Sequence, residues 1–338
     1  MLELIKKLSL INGTSGRENE VREFIINEIK DYADSIETDP LGNLIVFKKG
    51  AKTPKNKVLL DAHMDEVGMM ITAINADGTL EFECVGGIDR RVMLGRAVTV
   101  GEDKINGVIG IKPVHMVSAD EKLTVPSHAY IDIGAENKED AEKLVCPGDC
   151  AYFNSEFVSY GDGFIKGKAL DDRAGCAILI EMIKSDLPCD MYFNFAVGEE
   201  VGFGFAGAAA YSVRPDYAIV VETTTAADLA DVPENQKVCR LGEGAVISFM
   251  DRRTIYPREL FDRAFELAKV NNVKAQVKSA VAGGNNAGVI HKTAGGIKTL
   301  TVSLPCRYLH SPSCVLKTED ITESARLICL LAEDFANA

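Results

Sequence analysis

Apolar residues recur at two different spacings along this chain, and the change of spacing divides it into three stretches. The first, residues 1–66, opens with two helical patterns and ends in the dense apolar run KVLLDA at 57–62. A run of this kind is typical of a strand that is buried on both faces of a parallel sheet. The first stretch therefore predicts the beginning of an α/β domain.

The second stretch, residues 67–164, contains short apolar runs separated by turn residues such as Asp77-Gly78 and Gly86-Gly87. Long helical patterns are nearly absent, apart from one short pattern near 138–144, so we expect a small β-rich unit. From residue 165 strands and helices alternate again to the end of the chain. The pattern predicts an α/β fold whose larger domain is discontinuous, 1–66 and 165–338, and has a mixed, mostly parallel sheet flanked by helices. Residues 67–164 are then an inserted β-barrel-like domain.

Composition and charge exclude several classes of protein. The chain has 338 residues, of which 46% are hydrophobic, so it can bury a sizeable core and is not disordered. Its net charge of −13 argues against binding to a nucleic-acid backbone. No apolar run is long enough to span a bilayer, so no membrane partner is expected. The nine cysteines are an odd number and are scattered, which favours reduced thiols and a cytoplasmic location.

Acidic residues and histidines stand at the ends of several predicted strands. In an open parallel sheet, ligands bind outside the carboxyl ends of the strands, so we expect these side chains to meet there. The five positions are His63 with Asp65 after KVLLDA, Asp171-Asp172 before the helix CAILIEMIK, Glu199-Glu200 after MYFNFAV, Glu222 after YAIVV, and His310 after TLTVSL.

Each of these positions has an ordinary structural explanation when taken alone. A lone histidine after a strand is usually a satisfied polar residue, adjacent acids usually form a solvated patch, and Asp171-Asp172 could cap a helix. Taken together they favour a metal centre, because imidazole and carboxylate suit zinc, cobalt or manganese. Two ions about 3.5–4 Å apart can activate a water molecule between them, and a carboxylate that is not a ligand can accept its proton.

Four segments resemble one known family. They are HMDEVG at 63–68, ALDDRAG at 169–175, VGEEVGFGFAGA at 197–208 and RYLHS at 307–311. Their pattern is similar to that of the tetrahedral-aminopeptidase and glutamyl-aminopeptidase family of co-catalytic metallopeptidases, some of whose members carry an endoglucanase M label. NGTSGRE near the start, VGGIDRRV, GVIGIKPVH and IDIGA also match, so the resemblance covers nearly the whole chain.

The resemblance implies a role for each of the candidate residues and a cis peptide between Asp171 and Asp172. It implies two divalent metal ions per subunit, zinc or cobalt with manganese as a further choice. The inserted domain would mediate a homodimer, and such dimers would assemble into a hollow homododecamer. The implied roles are His63 and Glu222 on one metal, Glu200 and His310 on the other, Asp171 bridging both, Glu199 as general base and acid, and Asp65 orienting His63.

Two positions depart from the family pattern. The family commonly has Asp at the position of Glu222; in the wider clan Glu there accompanies carboxypeptidases, dipeptidases and deacylases. The family also commonly has Gly-Thr-Asp-Ala where this chain has Asn285-Asn286-Ala287. We expect Asn286 to lie at the substrate-binding site, where loss of a negative charge would weaken recognition of a cationic α-amino group.

The sequence thus predicts a metal-dependent amide hydrolase, first of all an aminopeptidase that removes N-terminal residues from short peptides. A deacylase, dipeptidase or carboxypeptidase-like hydrolase on the same metal centre is the alternative. A glucanase leaves the histidines without a function, and a non-catalytic assembly protein would not need to retain every ligand. Among the other histidines, His115 is a candidate for a subunit interface, and we expect His128 and His291 to be structural.

Overall fold

A mixed sheet of eight strands forms the centre of the molecule. The structure, a computed structural model, describes residues 1–116 and 129–338. Four central strands of the sheet run parallel, whereas β2 on one side and β14 on the other are antiparallel to their central neighbours. In spatial order, with numbers in chain order, the strands are β1 (Ser35–Thr38), β2 (Leu44–Lys48), β12 (Met191–Ala196), β3 (Val58–His63), β13 (Tyr217–Thr225), β16 (Lys298–Cys306), β14 (Ala245–Ile247) and β15 (Ala275–Val277).

Helices pack on this sheet and share one hydrophobic core with it. Every residue of β3 is buried, as the apolar run predicts. The last helix buries residues three or four apart, among them Ile321, Leu327, Leu331 and Phe335, which gives it one apolar stripe. No helix in the described part of the chain is long and apolar enough to cross a membrane. The helices are α1 (Leu2–Leu10), α2 (Asn19–Ile29), α4 (Leu170–Lys184), α5 (Ala206–Val213), α6 (Arg258–Val270), α7 (Ala287–Ile290) and α8 (Thr318–Asn337).

A closed six-stranded barrel with its own hydrophobic core follows β3 in the chain. Its short strands and tight turns agree with the β-rich pattern of the sequence, and the one short helix expected there is α3 (Lys138–Ala141). Exposed His115 lies in a single helical turn after β7, and His128 lies outside the described residues. Around the barrel the strands are β4 (Gly68–Ile74), β5 (Leu80–Val85), β8 (Tyr130–Asp132), β7 (Ile105–Ile109), β6 (Ala97–Val100) and β9 (Cys150–Phe153).

A small third sheet lies where the chain leaves the barrel. Its strands are β10 (Val158–Tyr160), β11 (Phe164–Gly167) and β17 (Cys314–Lys317), and β11 is in the middle. β10 belongs by sequence to the stretch 67–164, but it pairs with strands of the second α/β piece. β17 follows the loop of His310, so this sheet brings that loop close to the chain that leads into α4.

Buried charges fix the chain where it enters and leaves the barrel. Glu66 accepts two hydrogen bonds from Lys168 Nζ, at 2.6 and 2.8 Å, and all of these groups are buried. The guanidinium of Arg173 has no exposed surface and donates to the carbonyl oxygens of Met64 at 2.8 Å and Leu8 at 2.7 Å. Full pairing offsets the cost of removing these charges from water. The segments before β4 and around the start of α4 are therefore held in fixed positions.

Candidate active site

Adjacent parallel strands bring most of the candidate residues to one edge of the large sheet. His63 is the last residue of β3, and Glu222 lies in the neighbouring strand β13. Glu199 and Glu200 follow β12, and His310 follows β16. Asp171 lies at the start of α4, where its peptide bond to Asp172 is cis. The structure thus gathers the side chains that the sequence places at strand ends.

Asp171 lies between the two histidines. Its Oδ1 is 3.3 Å from Nε2 of His63, and its Oδ2 is 3.2 Å from Nε2 of His310. Each of these Nε2 atoms has a second carboxylate nearby. Glu222 Oε1 is 3.5 Å from Nε2 of His63, and Glu200 Oε2 is 3.2 Å from Nε2 of His310. The side chains therefore form two groups of three potential ligands that share Asp171.

Two carboxylate oxygens of this cluster have no hydrogen-bond donor among the residues that the structure describes. Asp171 Oδ1 and Glu200 Oε1 are buried and accept no hydrogen bond from the described residues. A buried carboxylate without a partner is costly, so a cation is the expected complement. Two histidines and three carboxylates are a donor set that zinc, cobalt and manganese accept. The residues present therefore fit a centre for two divalent ions.

The pKa values of the side chains in the cluster also favour a bound cation. Burial raises the pKa of the Glu200 and Glu222 carboxyls well above the usual range, and the charge of Asp171 raises both further. Burial alone would lower the pKa of His310, but the carboxylates of Asp171 and Glu200 outweigh it and raise that pKa to about 10. The cluster thus holds protons when no cation is bound, and metal binding would release them.

Asp65 connects the histidine of one group to the loop that carries the two glutamates. Its buried carboxylate accepts hydrogen bonds from the backbone N–H groups of Glu199 at 3.2 Å and Glu200 at 3.1 Å, and from the Ser15 hydroxyl at 2.6 Å. One of its oxygens is also 3.4 Å from Nδ1 of His63. Nδ1 of His63 forms its hydrogen bond with the backbone carbonyl oxygen of Asp65, at 3.0 Å. Asp65 therefore fixes the imidazole through its backbone and residues 199–200 through its carboxylate.

Glu199 lies next to both groups without belonging to either. It lines a cavity of about 140 Å³ together with Asp171, Glu222 and His310. Loss of contact with water raises the pKa of its carboxyl to about 7, although the nearby His63 lowers it. A half-buried carboxylate with this pKa, beside the cluster, is suited to accept a proton near neutral pH.

The barrel contributes a contact to the site that the sequence did not identify. Nδ1 of His310 lies 2.9 Å from the carbonyl oxygen of Gly87, which follows β5. A hydrogen bond from Nδ1 to this carbonyl leaves Nε2 free to act as a ligand. Gly87 belongs to the VGGIDRRV segment, but only the folded chain shows which atom of that segment meets the histidine.

The structure does not bring Asn286 together with the other candidate residues. Its side chain is buried, and its amide donates to Oδ2 of Asp61 at 2.9 Å, while Asn194 donates to Oδ1 at 2.6 Å. The neighbouring Asn285, rather than Asn286, lines the cavity. An acid at position 286 would place a second carboxylate against Asp61, whereas an amide supplies a donor. We therefore expect Asn286 to act on Asp61 and not directly on a substrate.

Comparison with known proteins identifies relatives over nearly the whole chain. The family model described as M42 glutamyl aminopeptidase matches residues 42–327. A putative aminopeptidase of Acetivibrio thermocellus is 42% identical over 331 residues, which cover 97% of each chain.

Two solved structures are similar in both sequence and fold. The TET1 peptidase of Pyrococcus horikoshii, which can assemble into a tetrahedron or a large octahedral shell, has a TM-score of 0.86, with 37% identity and 98% of each chain covered. A Thermotoga maritima protein named endoglucanase has a TM-score of 0.81, with 35% identity, and 98% of this chain and 97% of that one covered. With the ligand geometry described above, these matches lead to one conclusion: the chain belongs to the M42 glutamyl aminopeptidase family and is an aminopeptidase.

Proposed function

We propose that this aminopeptidase hydrolyses the first peptide bond of short peptides at a centre of two divalent metal ions. His63 and Glu222 would hold one ion, Glu200 and His310 the other, and Asp171 would bridge both. One observation carries the proposal: the two oxygens of Asp171 each face the Nε2 atom of a different histidine, at 3.3 and 3.2 Å.

In this proposal the protein's own groups position the substrate and move the proton. When bound, the two ions supply Lewis acidity towards the scissile carbonyl and lower the pKa of a water molecule to about 7. The Glu199 carboxylate accepts the proton of that water and delivers it to the leaving nitrogen. Asp65 holds the backbone of residues 199–200, so the base keeps a fixed position relative to the ligands.

We infer that the ions are zinc or cobalt, with manganese as a further choice, because histidine and carboxylate ligands suit all three. The buried, unpaired thiols among the nine free cysteines support a reducing compartment, the cytoplasm.

Residues 67–164 would form an inserted domain that pairs two subunits, and the dimers would form a homododecamer. The exposed apolar side chains Val108, Ile111 and Met116 on this part of the chain support such a contact.

The name of the Thermotoga maritima relative raises the question of glycoside hydrolysis. Most glycosidases place two carboxyl groups on opposite sides of the scissile bond. Here the carboxylates of Asp171, Glu200 and Glu222 instead converge with two histidines. This arrangement favours a metal centre and amide hydrolysis.

The test is hydrolysis of one short peptide and of its N-acetylated twin by zinc- or cobalt-loaded enzyme, with a chelator control. We expect cleavage of the free-amine peptide only, and loss of that cleavage with the chelator. Cleavage of the acetylated peptide alone would instead indicate a deacylase or carboxypeptidase-like enzyme, which Glu222 would favour. Cleavage that survives complete metal removal would contradict the two-metal proposal.

A further inference from the structure

An arginine side chain lies beside the loop that carries the two glutamates, and the proposed function gives it no role. Arg253 is exposed, and its guanidinium forms no hydrogen bond or ion pair with the residues that the structure describes. Burial raises the pKa of the nearby Glu199 carboxyl, and the positive charge of Arg253 partly lowers it again. The guanidinium is therefore close to the proposed base and available to an anionic group of a substrate.

Three glycines make room for this side chain. A Cβ atom added at Gly288 would lie 2.6 Å from Cβ of Arg253, and one at Gly284 would lie 2.8 Å from its Cγ and Cδ. One added at Gly202 would lie 2.7 Å from Nη2, at the guanidinium itself. Gly284 and Gly288 lack the positive φ that by itself favours glycine, so the close packing of the arginine explains their missing side chains.

The turn that carries Arg253 is fixed by hydrogen bonds. The carboxylate of Asp251, which is buried, accepts the backbone N–H of Arg253 at 2.7 Å and the hydroxyl of Tyr256 at 2.6 Å. The backbone N–H of Arg252 donates to the carbonyl oxygen of Gly283 at 2.9 Å. Because the turn and the side-chain stem are held in place before a ligand binds, little conformational entropy is lost on binding.

The guanidinium packs against the turn of Glu199 but lies outside the cavity. Gly202, which it approaches, donates its backbone N–H to the carbonyl oxygen of Glu199 at 2.8 Å and closes that turn. Gly284, which the stem approaches, lines the cavity together with Glu199, whereas Arg253 does not. The positive charge is therefore next to the group that is proposed to protonate the leaving nitrogen.

A dipeptide carries a carboxylate close to that nitrogen. Its terminal carboxyl carbon is only two bonds from the scissile nitrogen, whereas a neutral peptide group occupies the same place in a longer peptide. A guanidinium offers a planar pair of N–H donors that matches a carboxylate, and its bond to a neutral carbonyl oxygen is weaker. A guanidinium at this position therefore distinguishes peptides by their length.

We propose that Arg253 binds the terminal carboxylate of a dipeptide and so makes the enzyme favour dipeptides over longer peptides. This inference rests on the proposed function, because the transfer of a proton from Glu199 to the leaving nitrogen determines where the carboxylate lies. The side chain of the first residue takes no part in this selection.

A second cation near the site has to be distinguished from Arg253. Lys278 directly follows β15, is only 7% exposed and lines the cavity that Glu199 also lines. Since the cavity lies on the other side of Gly284 from the arginine stem, we expect Lys278 to have little influence on a carboxylate bound outside the cavity.

The experiment compares leucyl-alanine with leucyl-alaninamide as substrates of the metal-loaded enzyme. The two differ only by a carboxylate against a carboxamide, so the ratio of their kcat/KM values reports on recognition of the terminal group. We expect the wild-type protein to favour leucyl-alanine. Arg253→Met should lower kcat/KM for leucyl-alanine by roughly 10- to 30-fold and leave the amide within about threefold. Leucyl-alanyl-alanine should respond to the substitution as the amide does, because its carboxylate lies one residue further away.

The controls are Arg252→Met, at the neighbouring exposed arginine that none of the three glycines contacts, and Lys278→Met in the cavity. Both should keep the wild-type ratio. The proposal is overturned if Arg253→Met keeps that ratio, if it slows both substrates equally and so acts through Glu199, or if Lys278→Met removes the preference. It is also overturned if the wild-type enzyme hydrolyses both substrates equally well.

Failure of the wild-type, metal-loaded enzyme on all three free-amine substrates would instead reject the proposed function. Hydrolysis of leucyl-alaninamide by Arg253→Met shows that this variant folds and retains its catalytic groups.

Discussion

At the scale of single residues, two adjacent glutamates have different surroundings. Glu200 Oε2 is 3.2 Å from a histidine nitrogen and its other oxygen has no donor, whereas Glu199 belongs to neither ligand group. The strand β12 directs both side chains to the site, and Asp65 holds both backbone N–H groups. These different surroundings support the roles proposed above, metal binding for Glu200 and proton transfer for Glu199.

We therefore expect Glu199→Gln to keep both metal ions and to lower kcat by roughly 10²- to 10⁴-fold, because only the proton acceptor is removed. Glu200→Gln should instead lower the metal content. Elemental analysis of the purified variants, together with steady-state kinetics, separates the two effects. Near-normal turnover by fully loaded Glu199→Gln would show that another group is the base.

The acid limb of the pH profile should report on Glu199. Loss of water contact raises the pKa of its carboxyl to about 7, and only the deprotonated form can accept a proton. Bound cations would lower this pKa, so in the metal-loaded enzyme the base becomes protonated below pH 7, and kcat/KM should decrease towards acid pH and level off towards neutral pH. The comparison is between wild type and Glu199→Gln over pH 5–9. Persistence of the same acid limb in Glu199→Gln would assign it to a different group.

The sequence indicated which side chains come together at the sheet edge, but it did not indicate which atoms of distant segments contact them. Histidines and acids at strand ends were visible because parallel strands converge at one edge. The contacts of Gly87 with His310 and of Asn286 with Asp61 depend on how distant segments pack. No local pattern identifies a carbonyl oxygen that reaches the site from another part of the fold.

At the scale of elements, Arg173 of α4 forms hydrogen bonds with α1 and with the segment that follows β3. Its buried guanidinium donates to carbonyl oxygens of α1 and of the segment after β3, and its Nη2 lies 3.7 Å from Glu66. These carbonyls lie at the C-terminal end of a helix and in a loop, where no regular ladder satisfies them. The side chain therefore replaces several missing backbone hydrogen bonds.

Arg173→Met should lower the free energy of unfolding by about 3–5 kcal/mol, because it removes a fully buried cation that lies near Glu66 and donates to the carbonyl oxygen of Met64. Urea denaturation of the metal-free protein measures this. Arg258→Met is the matched control: Arg258 is exposed and pairs with Asp262 one turn further on, so the loss should be much smaller than for Arg173→Met. Equal effects of the two substitutions would contradict this account.

The elements with strong periodic patterns were predicted well, and the weak ones were not. The runs that became β3, β12, β13 and β16 are dense and apolar because both faces of the sheet are covered. The edge strand β1 is mostly exposed and carries no such pattern. The last helix begins at Thr318, and Glu319 and Asp320 are favourable in its first turn.

At the scale of the whole molecule, metal removal should lower thermal stability. The ligands come from four strands and a helix, and an ion that binds only the folded chain stabilises it by mass action. At an ion concentration about 100 times the dissociation constant, the gain is about 2.7 kcal/mol. We expect calorimetry to show a lower Tm after chelation, restored by zinc or cobalt. An unchanged Tm would argue against ions at this cluster.

The hydrogen bond between His310 and Gly87 makes the barrel and the metal centre thermodynamically dependent on each other. His310 is partly exposed and is oriented by a carbonyl from the barrel, whereas His63 is buried and is oriented by the backbone carbonyl of Asp65, two residues after its own position. With an ion bound at His310 and Glu200 as proposed, a change that stabilises the barrel would raise the affinity for that ion, and by reciprocity the ion would stabilise the barrel. Assembly through the barrel would then act as a positive effector of metal retention, and an isolated subunit would lose the ion at His310 before the one at His63.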